Sequence, residues 1–142
     1  MSNAKPLRSL FVGLGILLSS ACGGATFAMV PAQEVVFAKG QVDVVTISEA
    51  GNGTYKVHVE HLGDPGKLNP SATVYVVWVM PKGKEDATIQ NMGAIKVDSD
   101  FNGDLEFNST FKAFEVTVTP EATADVTKPT GRDILKTNVA VD

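Results

Sequence analysis

A single cysteine, Cys22, stands in the 142-residue chain, so no disulfide can form within it and any fold must be held by its apolar core. Histidine is almost as scarce. His58 and His61 lie three residues apart in a stretch that alternates like a β-strand, where such a pair points to opposite faces and cannot chelate one zinc ion. His58 shares its face with Glu60 and His61 ends the stretch, so both are expected at the surface. The basic residues are fewer than the acidic ones, 12 against 16 for a net charge of −4, and they are scattered among carboxylates. That balance argues against a nucleic-acid partner, which needs a concentrated basic patch. No segment has a convincing helical period, and no serine sits in a Gly-x-Ser-x-Gly elbow. Long apolar runs are missing as well: Leu10 to Leu18 is about half of the roughly 20 residues that span a bilayer, and Gly13 and Gly15 interrupt it.

That short run is the middle of a three-part leader. Lys5 and Arg8 precede it and Ser19-Ser20-Ala21 follow, the order of a secretory signal. Ser19-Ser20-Ala21-Cys22 resembles the lipobox of bacterial lipoproteins, in which the leader is cut before a cysteine that carries a diacylglyceryl group. Ser20 and Ala21 match it, whereas Ser19 stands where an aliphatic residue is usual and Leu18 falls one place early. The resemblance implies lipidation of Cys22. An ordinary signal peptidase could instead cut after Ala21 or after Ala28. The expected organisation is a signal peptide over 1–21, a lipid-anchored tether over 22–40, and one domain over 41–142. Gly23 is not the aspartate that retains lipoproteins at the inner membrane, so an outer-membrane destination is expected in a cell with two membranes, a secreted or periplasmic soluble protein being the alternative.

The domain reads as all-β. Short β-branched and aromatic runs are separated every ten to fifteen residues by Gly, Pro, Asn and Asp, which predicts a single antiparallel Ig-like β-sandwich of about seven strands. The expected strands are Val42 to Ile47, Thr54 to His61, Val74 to Met80, Met92 to Val97, Gly103 to Phe107, Phe111 to Thr119 and Asp133 to Val139, with a weak candidate at Glu34 to Ala38. Tyr55, Val57 and Val59 share one face of the second, and Phe114, Val116 and Val118 share one face of the sixth. Val74 to Met80 is apolar at both parities, so it is expected to be central and covered on both sides, with Val76 and Trp78 buried.

At Tyr75-Val76-Val77-Trp78-Val79 the chain resembles the extracytoplasmic C-terminal domain of anti-sigma-K factors and similar lipoproteins. The likeness continues through Asn91 to Val97, Phe114 to Glu121 and Lys128-Pro129-Thr130-Gly131, and covers roughly residues 73 to 139. In that family a Val-Thr-x-Glu-Pro run and a later Pro-Thr-Gly flank a loop before the last strand; here Pro120 precedes Glu121. The resemblance implies an Ig-like sandwich outside the cytoplasmic membrane and brings no catalytic residues. The sigma-binding segment and transmembrane helix of such a regulator are not recognisable in the sequence, so the likeness is expected to extend to the sandwich alone.

One oxygen-rich stretch invites a cation. Asp98, Asp100 and Asn102 occupy the first, third and fifth places of a calcium loop, with Gly103 at the sixth, Asp104 next, and Glu106 at the ninth. Ser109 falls at the twelfth, where a bidentate glutamate belongs. The competing reading is a hairpin at Asn102-Gly103 joining the strands on either side. The leading functional expectation is therefore an exported, lipid-anchored, non-enzymatic envelope protein without a cofactor. Its partners are the membrane, through its lipid, and another envelope protein. The alternatives are a calcium- or small-ligand-binding module using Asp98 to Glu106, and a hydrolase with an unrecognised site.

Overall fold

The computed structural model describes residues 24–142. The leader and Cys22 lie outside the described residues. Nine strands form among them: β1 (Thr26–Ala28), β2 (Val30–Pro31), β3 (Lys39–Ile47), β4 (Gly53–Glu60), β5 (Val74–Pro81), β6 (Gln90–Ile95), β7 (Gly103–Ser109), β8 (Ala113–Glu121) and β9 (Leu135–Ala140). They build two packed antiparallel sheets, ordered β1-β3-β4-β7 and β2-β9-β8-β5-β6. This is the expected all-β sandwich. Its β3–β4 hairpin sets sequence neighbours side by side where an immunoglobulin constant domain pairs its second strand with its fifth. Among the described residues no helix is long and apolar enough to cross a membrane.

The inner faces follow from alternation. In β4 every second residue is buried, which brings Tyr55, Val57 and Val59 onto the core. Phe114, Val116 and Val118 of β8 meet them from the other sheet. Three rings clamp the two layers: Tyr55 stacks on Phe107 at 5.4 Å between centroids and meets Phe114 edge-on at 5.1 Å. β5 lies inside its sheet, between β8 and β6, and is buried on both faces, as its double parity predicts. The two faces differ in kind. Tyr75, Val77 and Val79 join the inter-sheet core, whereas Val76 and Trp78 lie on the outer side, opposite Thr119 and Thr117 of β8.

Three expectations are corrected here. The described part of the 22–40 tether belongs to the domain: β1 pairs with β3 and β2 with β9, Met29 between them is buried in the core, and Glu34 to Ala38 holds a 3₁₀ turn (Gln33–Val35) instead of a strand. Strands of three and two residues are too short to produce a readable period; edge pairing and the Met29 side chain recruit them. The hairpin at Asn102-Gly103 is not formed either, because β6 and β7 lie in different sheets and the chain crosses between them over residues 96–102. Phe101, not Asn102 or Gly103, takes the left-handed conformation, with φ +63°.

Candidate functional site

The connections divide the sandwich into two unlike ends. One carries the β3–β4 turn, the β5–β6 connection, the β7–β8 link and the end of β9; the other gathers the 61–73, 96–102 and 122–134 loops. At the second end strand β8 runs past Pro120 to Glu121, whose side chain is fully buried. Its Oε1 accepts from the Thr119 hydroxyl at 2.7 Å, the Thr130 amide at 2.9 Å and the Gly131 amide at 3.1 Å, and its Oε2 accepts from the Thr130 hydroxyl. The Trp78 indole N–H donates to the Thr119 hydroxyl oxygen at 2.8 Å, completing the chain. Asn91, paired with Trp78 across the sheet, donates its amide to the Ala124 and Val126 carbonyls. The 122–134 loop is thereby drawn over the outer face of its sheet, and Trp78 is sealed beneath it.

Glu121 makes no ion pair among the described residues. Burial pushes its carboxyl upward, but the Thr130 and Thr119 hydroxyls and the Gly131 and Thr130 amides outweigh that and hold it below the usual carboxylate range. An ionised carboxylate held by donors alone has no proton to give and no face open to solvent, which suits a latch better than a reaction. Sequence reading singled out Glu121 and Pro129-Thr130-Gly131 only through resemblance. The bond between them crosses a ten-residue gap that no local period reports.

The neighbouring loop is held separately. The Tyr75 hydroxyl donates to the Gly63 carbonyl, and burial and the nearby Asp64 charge push its ionisation well above the ordinary range, so it remains a donor. A cleft of about 370 Å³ lies between this loop and 96–102, lined by Asp64, Tyr75, Ile95, Lys96, Asp98 and Phe101 among others.

The five oxygen-bearing candidates do not converge. The Asp98 carboxylate folds back to accept the amides of Asp100 at 2.9 Å and Asn102 at 3.0 Å, an Asx-type turn. Asp104 and Glu106 are instead on the exposed face of β7. Asp104 accepts from His58 Nδ1 at 2.6 Å and lies 3.8 Å from Lys56 Nζ, while Glu106 stands opposite Lys56 in the register. Among the described residues no three His, Cys, Asp or Glu side chains are grouped to hold a metal ion. Asp98 Oδ1 already closes this turn by accepting two of its amides, so millimolar calcium and a chelator should give the same melting temperature; a rise with calcium would support the calcium-loop reading.

His58 sits in a carboxylate clamp of its own, with Glu60 Oε1 at 3.3 Å from Nε2. The Asp104 hydrogen bond raises its pKa most, partial burial opposes, and Glu60 adds to the rise. The ring is a third exposed, and the cluster reads as a surface ion network of small energetic weight. His61 begins the following loop with φ +55° and is exposed. The Thr54 hydroxyl donates to the Asn108 carboxamide oxygen at 2.9 Å, linking β4 to β7.

Fold and site together define a two-sheet β-sandwich with a loop latched onto its outer face by a buried carboxylate. No protein-family model matches the sequence, and no curated protein matches it.

Proposed function

We propose that this is an exported envelope protein, anchored through a lipid on Cys22, whose sandwich is a non-enzymatic interaction or structural module. The observation that carries this reading is the basic, apolar, small-residue leader ending in Ala21-Cys22, with the first strand starting four residues later at Thr26. The fold supports a cut before Cys22 over one after Ala28, because the later cut would remove β1 and bare the edge of β3. The buried, donor-saturated Glu121 supports a non-enzymatic module, since its carboxylate has no exposure to solvent and no proton to give. Gly23 favours the outer membrane where there are two.

Two acyl chains hold a protein at a membrane where one holds it only marginally. Protein expressed with its native leader should therefore sediment with the membrane fraction, and its intact mass should show a chain starting at Cys22 and carrying at least a diacylglyceryl group. Cys22→Ser should move it into the soluble fraction with its melting temperature unchanged. A mature chain starting elsewhere, or membrane retention of the serine variant, would overturn the proposal.

A further inference from the structure

We infer that the sandwich has no free tether and rests directly on the bilayer, at the corner made by Gly24, Val45, Ile47 and the 48–52 turn. The inference rests on acylation of Cys22. It follows from how early the chain joins the fold. The Ala25 carbonyl accepts the Val44 amide at 2.8 Å, which sets Gly24 level with Val45, and a β-carbon on Gly24 would collide with the Val44 carbonyl oxygen. The main chain is already against β3 two residues after the cysteine. Whatever path they take, two residues span at most about 7 Å.

From the level of Gly24, β3 continues to Ile47 and its turn, about 10–15 Å further at the rise of a strand. The turn thus reaches at least as far as the cysteine can. A headgroup layer is roughly 5–8 Å thick on each side of the hydrocarbon, so acyl chains inserted below Cys22 bring this corner into it, whether the strands stand upright or lean on the β1 edge. Its chemistry suits a lipid interface: Val45 and Ile47 are 47% and 41% exposed, large apolar side chains bared on a strand that otherwise buries them. Lys82, Lys84 and Lys112 at this end are outnumbered by Glu49, Glu85, Asp86 and Asp142, so the contact is apolar and needs no anionic lipid. The opposite end, with the latched loop, Phe101 and the 83%-exposed Phe37, is held away from the membrane and free for a protein partner.

The test uses the full acylated protein in neutral phosphatidylcholine vesicles. Because the lipid thioether blocks Cys22, Ala50→Cys in the turn and Phe37→Cys at the far end each supply one reactive thiol, both at exposed positions where folding tolerates the change. With an environment-sensitive fluorophore on each and a nitroxide on the lipid headgroup, the turn label should lose most of its emission and shift to the blue, and the Phe37 label should keep its emission. Equal quenching of the two, or stronger quenching at Phe37→Cys, in protein that floats with the vesicles would overturn this inference alone. Protein that fails to float would overturn acylation and this inference together.

Discussion

Glu121→Ala should cost the domain about 3–5 kcal/mol, because it empties the place of a fully buried side chain and strips the partner from two amides and two hydroxyls. For a domain of this size that is a fall in melting temperature of roughly 10–20 °C. Glu121→Gln should also destabilise, since its NH₂ must face a donor wherever it is placed. The only tryptophan reports the event directly: Trp78 donates into the same chain of hydrogen bonds, so opening the latch should shift its emission to the red.

The pH dependence has a definite sign. Glu121 is held below its ordinary value of 4.5, so its stabilisation is fully present above that value and is lost as pH falls through the folded-state pKa. The gap between wild type and Glu121→Gln should therefore be widest near neutrality and narrow in acid; a gap independent of pH would remove the charged latch. Gly131→Ala tests the other half. A β-carbon there would strike the Pro120 carbonyl oxygen, so the turn must withdraw from Glu121. Since both changes open one latch, the double variant should lose less than the sum of the two.

Tyr55→Ala should be the second severe loss, again about 3–5 kcal/mol, now from the inter-sheet core. The ring is 1% exposed and touches Phe107 of its own sheet and Phe114 of the other, so its removal leaves a cavity and ends two aromatic contacts worth about 0.5–1.5 kcal/mol each. Against a typical stability of about 5–15 kcal/mol, that is roughly a third to a half of a mid-range total. Urea unfolding read by circular dichroism checks this, with Phe37→Ser as the neutral control. Tyr55 and Glu121 share no partner, so their losses should add.

The legibility of the fold varies strand by strand. β4 was readable because a half-buried strand writes its two faces into alternate residues, and the inner face of β8 because Phe114, Val116 and Val118 alternate with other types, although Thr117 and Thr119 on its other face are buried too. Burial of Trp78 was readable from the unbroken apolar run of β5, but not its side of the sheet, since double parity says that both faces are covered without saying by what. The cover is a loop, held by Asn91 and Glu121. Asn102-Gly103 announced that the chain turns and could not announce which sheet it turns into. The side chains of the oxygen-rich stretch take separate partners for a similar reason. Spacing places Asp98 and Asp104 near each other along the chain, while the Asp98 carboxylate bonds its own loop and Asp104 pairs with His58, 46 residues away in sequence.

By itself, then, the chain's sequence determined what depends on near neighbours: β character, inward faces and a disulfide-free core. Tertiary structure alone decided that Glu121 closes on Thr130 and Gly131, that His58 lies between Asp104 and Glu60, and that Thr26–Ala28 and Val30–Pro31 are sheet strands instead of tether. The first group follows from a two-residue repeat and from residue chemistry. The second consists of partnerships chosen by which edges and loops meet when two sheets pack, and short segments acquire them only from the surface they land on.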